Sequence, residues 1–124
     1  MKYSVSKTFR EGTMRMVLSG SVEPGDVRAL AEDVVRAVQS ESVERLFIDV
    51  CGLREEVGPV DTLNLIKDYP RDAATLRRRV AVLERPEQAY AHGFHETAAQ
   101  NRGHRLRHFT DRAQAEAWLF SQDP

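Results

Sequence analysis

Leu46-Phe47-Ile48-Asp49-Val50, continued by Cys51-Gly52-Leu53, is the most informative apolar run in the sequence. It lies between a helical pattern and a polar, acidic segment, which is typical of a strand buried on both faces. Strands of this kind occur in α/β sheets, where helices cover both faces. We therefore place this strand at the centre of a sheet.

Upstream of the central run, two alternating segments flank a glycine. Apolar residues alternate with polar ones on both sides of Gly12, which predicts two antiparallel strands joined by a tight turn. The apolar members are Tyr3, Val5, Phe9, Met14, Met16 and Leu18. We expect an N-terminal hairpin.

The segment between the hairpin and the central run has the clearest helical periodicity. Its apolar residues share one helix face, and they are Val27, Leu30, Ala31, Val34, Val35 and Val38. Either Asp26 caps this helix or Pro24 occupies its first turn.

Downstream of the central run, strand-like and helical patterns alternate. A loop over 51–58 is followed by a short helix that Asp61 caps and Pro70 stops, a helical turn or two over 73–79, and a strand over 80–83. The next helix begins at Glu87, has Ala91, Phe94 and Ala98 on one stripe, and ends just before Gly103. A strand over Arg105–Phe109 and a last helix capped by Thr110 complete the chain. The order β-β-α-β-α-β-α-β-α predicts an α/β fold with parallel neighbours and right-handed crossovers. We expect a mixed sheet whose antiparallel element is the N-terminal hairpin.

Length and composition limit the class of protein. The chain has 124 residues, with 41% hydrophobic and 30% charged, and predicts one globular domain over residues 1–124. A net charge of −1 provides no overall attraction for nucleic acid. The single cysteine excludes an internal disulfide, the N-terminus has no apolar signal core, and no run is long enough for a membrane span, so we expect a cytoplasmic protein.

Several local motifs coincide with those of a known family. They are Phe47-Ile48-Asp49-Val50-Cys51-Gly52-Leu53, Arg79-Val80-Ala81-Val82-Leu83, the segment 94–103 leading to Phe109-Thr110-Asp111, and the closing Ala115-Glu116-Ala117-Trp118-Leu119. In their order, which spans nearly the whole chain, the sequence resembles the SpoIIAA-like branch of the STAS fold. The resemblance implies a regulatory or binding module and includes no catalytic motif.

The regulatory loop of that family is not reproduced. Anti-sigma antagonists of the STAS group are switched by phosphorylation of a serine in an Asp-Ser-Ser-Gly loop shortly after the central strand. Here the region reads Arg54-Glu55-Glu56-Val57-Gly58-Pro59, and no serine occurs from Val43 through Phe120. Thr62 is the nearby hydroxyl and has none of the motif around it. The resemblance therefore does not bring a phosphoswitch to this chain.

The carboxyl ends of parallel strands are where open α/β sheets bind ligands. We predict a binding crevice built from residues that follow the strands and from aromatic walls, namely Asp49, Cys51, Gly52, Leu53, Tyr69, Arg85, Phe94 and Thr110. The predicted occupant is a protein partner or a small apolar or anionic ligand, including a lipid, and no cofactor, metal or nucleic acid is expected. Exposed sheet edges or helices could also pair two copies into a homodimer.

Three groups of residues have both a chemical and a structural interpretation. Cys51 is either a packed hydrophobe or, with a nearby base, the nucleophile of a small hydrolase. Asp49 is either the partner of an arginine or of loop N–H groups, or it lines the crevice with Arg85. His92 and His95 share a helix face, as a packed or solvated pair or as part of a metal site that lacks a third ligand.

Arginines occur in two runs that have both a basic-patch interpretation and a solvated-face interpretation. The runs are Arg77-Arg78-Arg79 and the cluster Arg102, His104, Arg105, Arg107 and His108. Neither run contains interleaved aromatic residues or a glycine-rich phosphate loop, so a solvated face is favoured.

Overall fold

The computed structural model describes residues 3–40, 42–55 and 76–121. Within these ranges five strands form one sheet, and helices pack against it. In chain order the elements are β1 (Tyr3–Arg10), β2 (Thr13–Val22), α1 (Pro24–Gln39), β3 (Arg45–Glu55), β4 (Arg79–Leu83), α2 (Pro86–Asn101), β5 (Arg105–Phe109) and α3 (Arg112–Leu119). No helix in the described ranges is long and apolar enough to cross a membrane.

The sheet is mixed, as predicted. Its strand order is β1-β2-β3-β4-β5, with β1 antiparallel to β2 and the remaining neighbours parallel. The hairpin turn has positive φ at both Glu11 (51°) and Gly12 (82°), which is typical of the turn that suits the twist of a two-residue hairpin. The Gly12 carbonyl accepts from Glu44 N (2.7 Å) and Arg45 N (3.2 Å), so this turn also anchors the start of β3.

Two apolar clusters lie on opposite faces of the sheet. The first, on what we call the α1/α2 face, joins side chains of β2 to β5 with Leu30 and Ala37 of α1 and Ala99 of α2. The second, on the α3 face, consists of Phe47, Ala81, Leu83, Phe109, Ala115 and Leu119. The central strand contributes to both clusters, which explains its uninterrupted apolar sequence.

β3 is longer than the sequence predicted. The loop prediction over 51–58 is wrong for residues 51–55, which continue the strand to Glu55. The reason is the length of β2, because its second half pairs with this extension from Ser19 opposite Gly52 to Val22 opposite Glu55. A glycine followed by charged residues is typical of a loop when no partner strand is known.

Helix boundaries were predicted to within a residue or two. Pro24 is the first residue of α1, and Asp26 is not the cap but accepts from the N–H of Glu23 in the first turn (3.1 Å). The cap predicted at Thr110 is wrong by one residue, because the Asp111 carboxylate accepts from Gln114 N (2.9 Å) and starts α3.

The prediction of Gly103 after α2 is confirmed by its φ of +92°. Leu76 and Arg77 are helical, as expected within 73–79, whereas Arg79 already belongs to β4. The short helix predicted from Asp61 to Pro70 lies outside the described residues.

Candidate functional site

β4 and β5 end side by side next to Asp49, from which β3 continues to Glu55. The pairing register sets Asp49 beside Leu83 and Leu83 beside Phe109, and Glu84 N donates to Phe109 O (2.9 Å). The residues that follow these strands therefore meet at one end of the sheet, which we call the carboxyl end. It comprises residues 49–55, 84–88 and 110–112.

A β-bulge changes the direction of side chains in the extension of β3. Asp49 pairs with Val17 and Gly52 pairs with Ser19, so β3 has one residue more than β2 in this interval. A Cβ atom at Gly52 would lie 2.9 Å from the Cβ of Ser19, a contact that requires glycine here. Glycine at position 52 is therefore explained by the close approach of β2, which the sequence alone did not reveal.

The predicted crevice residues of β3 are divided between the two faces of the sheet. Cys51 packs against the cluster on the α3 face, whereas Leu53 is 4% exposed within the cluster of the α1/α2 face. Cys51 and Leu53 therefore lie at the same end of the sheet but on different faces, and the crevice as a whole stays a prediction.

Arg85 lies across the end of β4 and binds the main chain of β3. Its Nε donates to the Cys51 carbonyl (2.7 Å), its Nη2 donates to the Leu53 carbonyl (3.2 Å), and its Nη1 pairs with Glu87 Oε2 (3.2 Å). β4 ends at Leu83, which pairs with Asp49, so the Cys51 and Leu53 carbonyls have no residue of β4 beside them. The Arg85 side chain therefore supplies the hydrogen-bond donors that a longer β4 would have supplied.

Gln88 completes this closure and was missed in the sequence. Its side-chain amide nitrogen donates to the carbonyls of Val50 (2.9 Å) and Leu53 (3.1 Å), and its Oε1 accepts from Arg85 N (2.7 Å). A usable local signal existed, because Pro86 favours the first helical position and a glutamine two residues later can accept from the N–H of the residue before the helix. Arg85 and Gln88 together occupy the β3 side of the predicted crevice.

Asp49 binds an arginine, as its structural interpretation predicted, and its second partner is a main-chain N–H of β3 instead of a loop. Its Oδ1 accepts from Cys51 N (3.0 Å), and its Oδ2 accepts from Arg112 Nη2 (3.0 Å). The Arg112 guanidinium also lies 5.3 Å from the centre of the Phe47 ring. In the alternative interpretation Asp49 would line the crevice with Arg85, but the arginine that it binds is Arg112.

Cys51 is held as a protonated thiol. Burial, followed by the neighbouring Asp49 carboxylate, raises the pKa of Cys51 to about 11. Its Sγ lies 3.8 Å from the Leu83 carbonyl. Since the thiolate is the reactive form, a thiol with this pKa is a weak nucleophile at neutral pH. The hydrolase interpretation therefore lacks its activated nucleophile.

A second polar group at this end connects β4, β5 and α2. His108 Nδ1 lies 3.1 Å from Glu84 Oε2, and His108 Nε2 lies 3.0 Å from His95 Nδ1. The Glu84 and His108 side chains are 4% and 6% exposed. The chain carboxylate–imidazole–imidazole fastens α2 to the edge of the sheet and has no signature in the sequence, because its members are far apart along the chain.

The remaining predicted site residues have different outcomes. Thr110 is exposed at the end of β5. Phe94 is in α2, but its side chain, like that of His92, is not described, and Tyr69 lies outside the described residues. In residues 3–40, 42–55 and 76–121, no group of three or more His, Cys, Asp or Glu side chains is arranged to hold a metal ion.

Two solved structures are similar to this chain over nearly its whole length. An anti-sigma factor antagonist from Mycobacterium paratuberculosis has a TM-score of 0.61 and 15% sequence identity, and the match covers 96% of this chain and 95% of that one. A protein of the DUF3478 family with a SpoIIAA-like fold, from Shewanella loihica PV-4, has a TM-score of 0.53 and 16% identity, with 94% and 93% covered. The chain has the SpoIIAA-like fold.

The predicted resemblance to the SpoIIAA-like branch of the STAS fold is thereby confirmed at the level of fold. No protein-family model and no curated protein matches the chain. Because a fold hosts many functions, the function of this SpoIIAA-like chain has to be argued from its residues.

Proposed function

We propose that this SpoIIAA-like protein is a non-catalytic module that binds a protein partner with the carboxyl end of its sheet. The observation that supports the proposal most is the internal closure of that end by Arg85 and Gln88. Where Arg85 and Gln88 close the edge of β3, the described residues present a fixed outer surface. A preorganised surface suits a protein partner, because little side-chain freedom remains to be lost on binding.

The outer surface of the carboxyl end is polar and mixed in charge. Gly52, Arg54, Thr110 and Asp111 are exposed there, and Arg112 keeps 57% of its side chain accessible while it binds Asp49. Such a composition resembles the polar rim of a transient interface. One of the similar structures is an anti-sigma factor antagonist, which supports a protein as the partner.

The other predicted occupants have less support from the geometry. A small apolar or anionic ligand, or a lipid, would need space on the β3 side, where Arg85 and Gln88 already fill the position after β4. A Cys51-dependent hydrolase would need a thiolate, whereas burial and Asp49 raise the pKa of Cys51 to about 11. We propose neither.

Site-specific photocrosslinking tests the proposal. A photoreactive residue would replace Thr110 at the carboxyl end or, as a matched control, the equally exposed Ser6 on β1. We expect one protein to be crosslinked from position 110 and not from position 6, and to bind the pure domain.

The purified partner then provides the decisive comparison. Thr110→Arg should weaken its binding by about tenfold, the effect of an unpaired charge in an interface, whereas Ser6→Arg should leave it unchanged. Equal crosslinking from both positions, or equal affinity of Thr110→Arg and the natural chain, would refute the assignment.

A further inference from the structure

The two arginine runs of the sequence become one surface in the fold. β4 and β5 pair in register, so that Arg79 lies beside Arg105 and Ala81 lies beside Arg107. Arg105 Nη1 also donates to the Arg77 carbonyl (3.2 Å). Arg77, Arg79 and Arg105 therefore gather where β4 and β5 begin, at the opposite end of the sheet from residues 49–55, and Arg107 lies two residues further along β5.

The C-terminus of α2 adds another arginine to this surface. Arg102 caps α2 and precedes Gly103, where an added Cβ would lie 3.8 Å from a methyl group of Leu76. The loop after α2 therefore packs beside the segment that leads into β4. We call the combined surface the basic rim, and it consists of Arg77, Arg78, Arg79, Arg102, Arg105 and Arg107.

Most arginines of the basic rim form no ion pair with the residues that the structure describes. Within the described ranges, none of Arg77, Arg78, Arg102, Arg105 and Arg107 forms an ion pair. By contrast, Arg15 pairs with Glu116 on the α3 face of the same sheet. The rim therefore concentrates positive charge on a protein whose net charge is −1.

Two guanidinium nitrogens of the rim are buried without a hydrogen-bond acceptor among the described residues. They are Arg78 Nη1 and Arg102 Nε. A buried donor without a partner is destabilising, so these two nitrogens lower the stability of the folded chain. The guanidinium groups that a partner can reach are those of the exposed Arg77 and Arg107, and carboxylates bind such groups with two parallel hydrogen bonds.

Aromatic rings hold two guanidinium groups of the rim in place. Arg107 lies 5.2 Å from the centre of the Phe109 ring and 5.7 Å from that of Trp118, and Arg79 lies 5.2 Å from the Trp118 ring while donating to the Trp118 carbonyl. Stacking on the rings restricts the motion of the Arg79 and Arg107 side chains, so their guanidinium groups are held in fixed positions. Less conformational freedom is then lost when an anion binds.

We propose that the basic rim is a docking surface for an acidic segment of a partner protein. It goes beyond the function proposed above, because it uses the opposite end of the sheet. Charge complementarity selects the chemistry of the partner, because five arginines that form no ion pair within residues 3–40, 42–55 and 76–121 match a segment rich in Asp and Glu. Nucleic acid is disfavoured because Phe109 is only 9% exposed and the Phe109 and Trp118 rings both lie under guanidinium groups, so neither ring is free for base stacking.

Fluorescence anisotropy with a labelled Glu/Asp-rich peptide tests the docking surface. The natural protein should bind the peptide with an affinity that falls as salt is raised. Replacing both Arg105 and Arg107 by Gln should weaken binding by about tenfold, the effect of losing two bidentate pairs. Arg10→Gln, which removes an exposed arginine of β1, is the control and should change the affinity by less than about twofold.

Three outcomes would overturn the proposal. They are the absence of peptide binding at low salt, equal losses in the rim variant and in Arg10→Gln, and tighter binding of a single-stranded oligonucleotide of the same charge. Arg77→Gln, at an exposed position outside the strands, gives a second rim variant if the double variant does not fold. Its binding should weaken in the same direction, and an unchanged affinity would also contradict the proposal.

Discussion

Arginine has different environments at the two ends of the sheet. At the carboxyl end, Arg85 donates to main-chain carbonyls of β3, and Arg112 binds Asp49. At the basic rim, Arg102 and Arg107 have no ion pair within the described ranges. The same residue type therefore closes the structure at one end and remains available for a partner at the other.

The lengths of the strands explain this difference. β3 extends past β4, which ends beside Asp49, so its later carbonyls need donors from side chains. β4 and β5 begin in register, with Arg79 beside Arg105, so no extended strand needs donors there. The unequal strand ends therefore recruit Arg85 to main-chain carbonyls, whereas at the equal ends Arg107 stays exposed and Arg79 is buried against Trp118.

The largest expected effect tests how firmly the carboxyl end is closed. Glu84→Ala should lower the free energy of unfolding by about 3 kcal/mol, because it removes the buried partner of His108. Glu87→Ala, which breaks only the exposed pair with Arg85, should cost less than about 0.5 kcal/mol. Urea denaturation followed by circular dichroism measures both, and similar values for the two variants would mean that Glu84 is not part of a stabilising group.

The next effect compares one arginine from each end. Arg85→Ala should destabilise the protein by about 2 kcal/mol, because hydrogen bonds from a charged donor to two carbonyls are lost. Arg107→Ala should cost less than about 1 kcal/mol, the value of an exposed cation–π contact. Urea denaturation measures both variants, and a greater loss of unfolding free energy in Arg107→Ala than in Arg85→Ala would contradict the expected difference between the two ends.

The smallest effect is the pH dependence of Cys51. Its pKa is raised from 9.0 to about 11, so the folded state holds the thiol proton more tightly than the unfolded state. The resulting contribution to stability is complete below pH 9 and is lost as the pH rises towards 11. Rates of alkylation by iodoacetamide against pH measure the pKa, and Asp49→Asn should lower it. An unchanged profile in that variant would remove Asp49 as a cause.

Elements with a clear period could be predicted from the sequence, whereas the closure of the carboxyl end could not. The hairpin, α1 and the strands over 80–83 and Arg105–Phe109 follow from local patterns that tertiary contacts do not alter. The bulge opposite Leu18 depends on the pairing of β2 with β3, and the joining of the two arginine runs depends on strand order. Neither the bulge nor the joining of the arginine runs can be read from neighbouring residues in the sequence.

The candidate site shows the same division between local and distant information. That Asp49 would find an arginine was predictable, because a buried carboxylate needs a partner. That the arginine would be Arg112 was not, since 63 residues separate them in the sequence. The role of Gln88 was accessible in principle, because its capping pattern with Pro86 is local.

Exchange of the arginine side-chain Nε–H protons with solvent, followed by nuclear magnetic resonance, tests the contrast between the two ends most directly. Arg85 donates this proton to Cys51 O at 2.7 Å, so its exchange should be slow, whereas that of the exposed Arg107 should be fast. When a Glu/Asp-rich peptide is added, the Arg105 and Arg107 signals should shift and the Arg85 signal should not. Fast exchange at Arg85, or a shift confined to Arg85, would contradict the assignment of closure to one end and availability to the other.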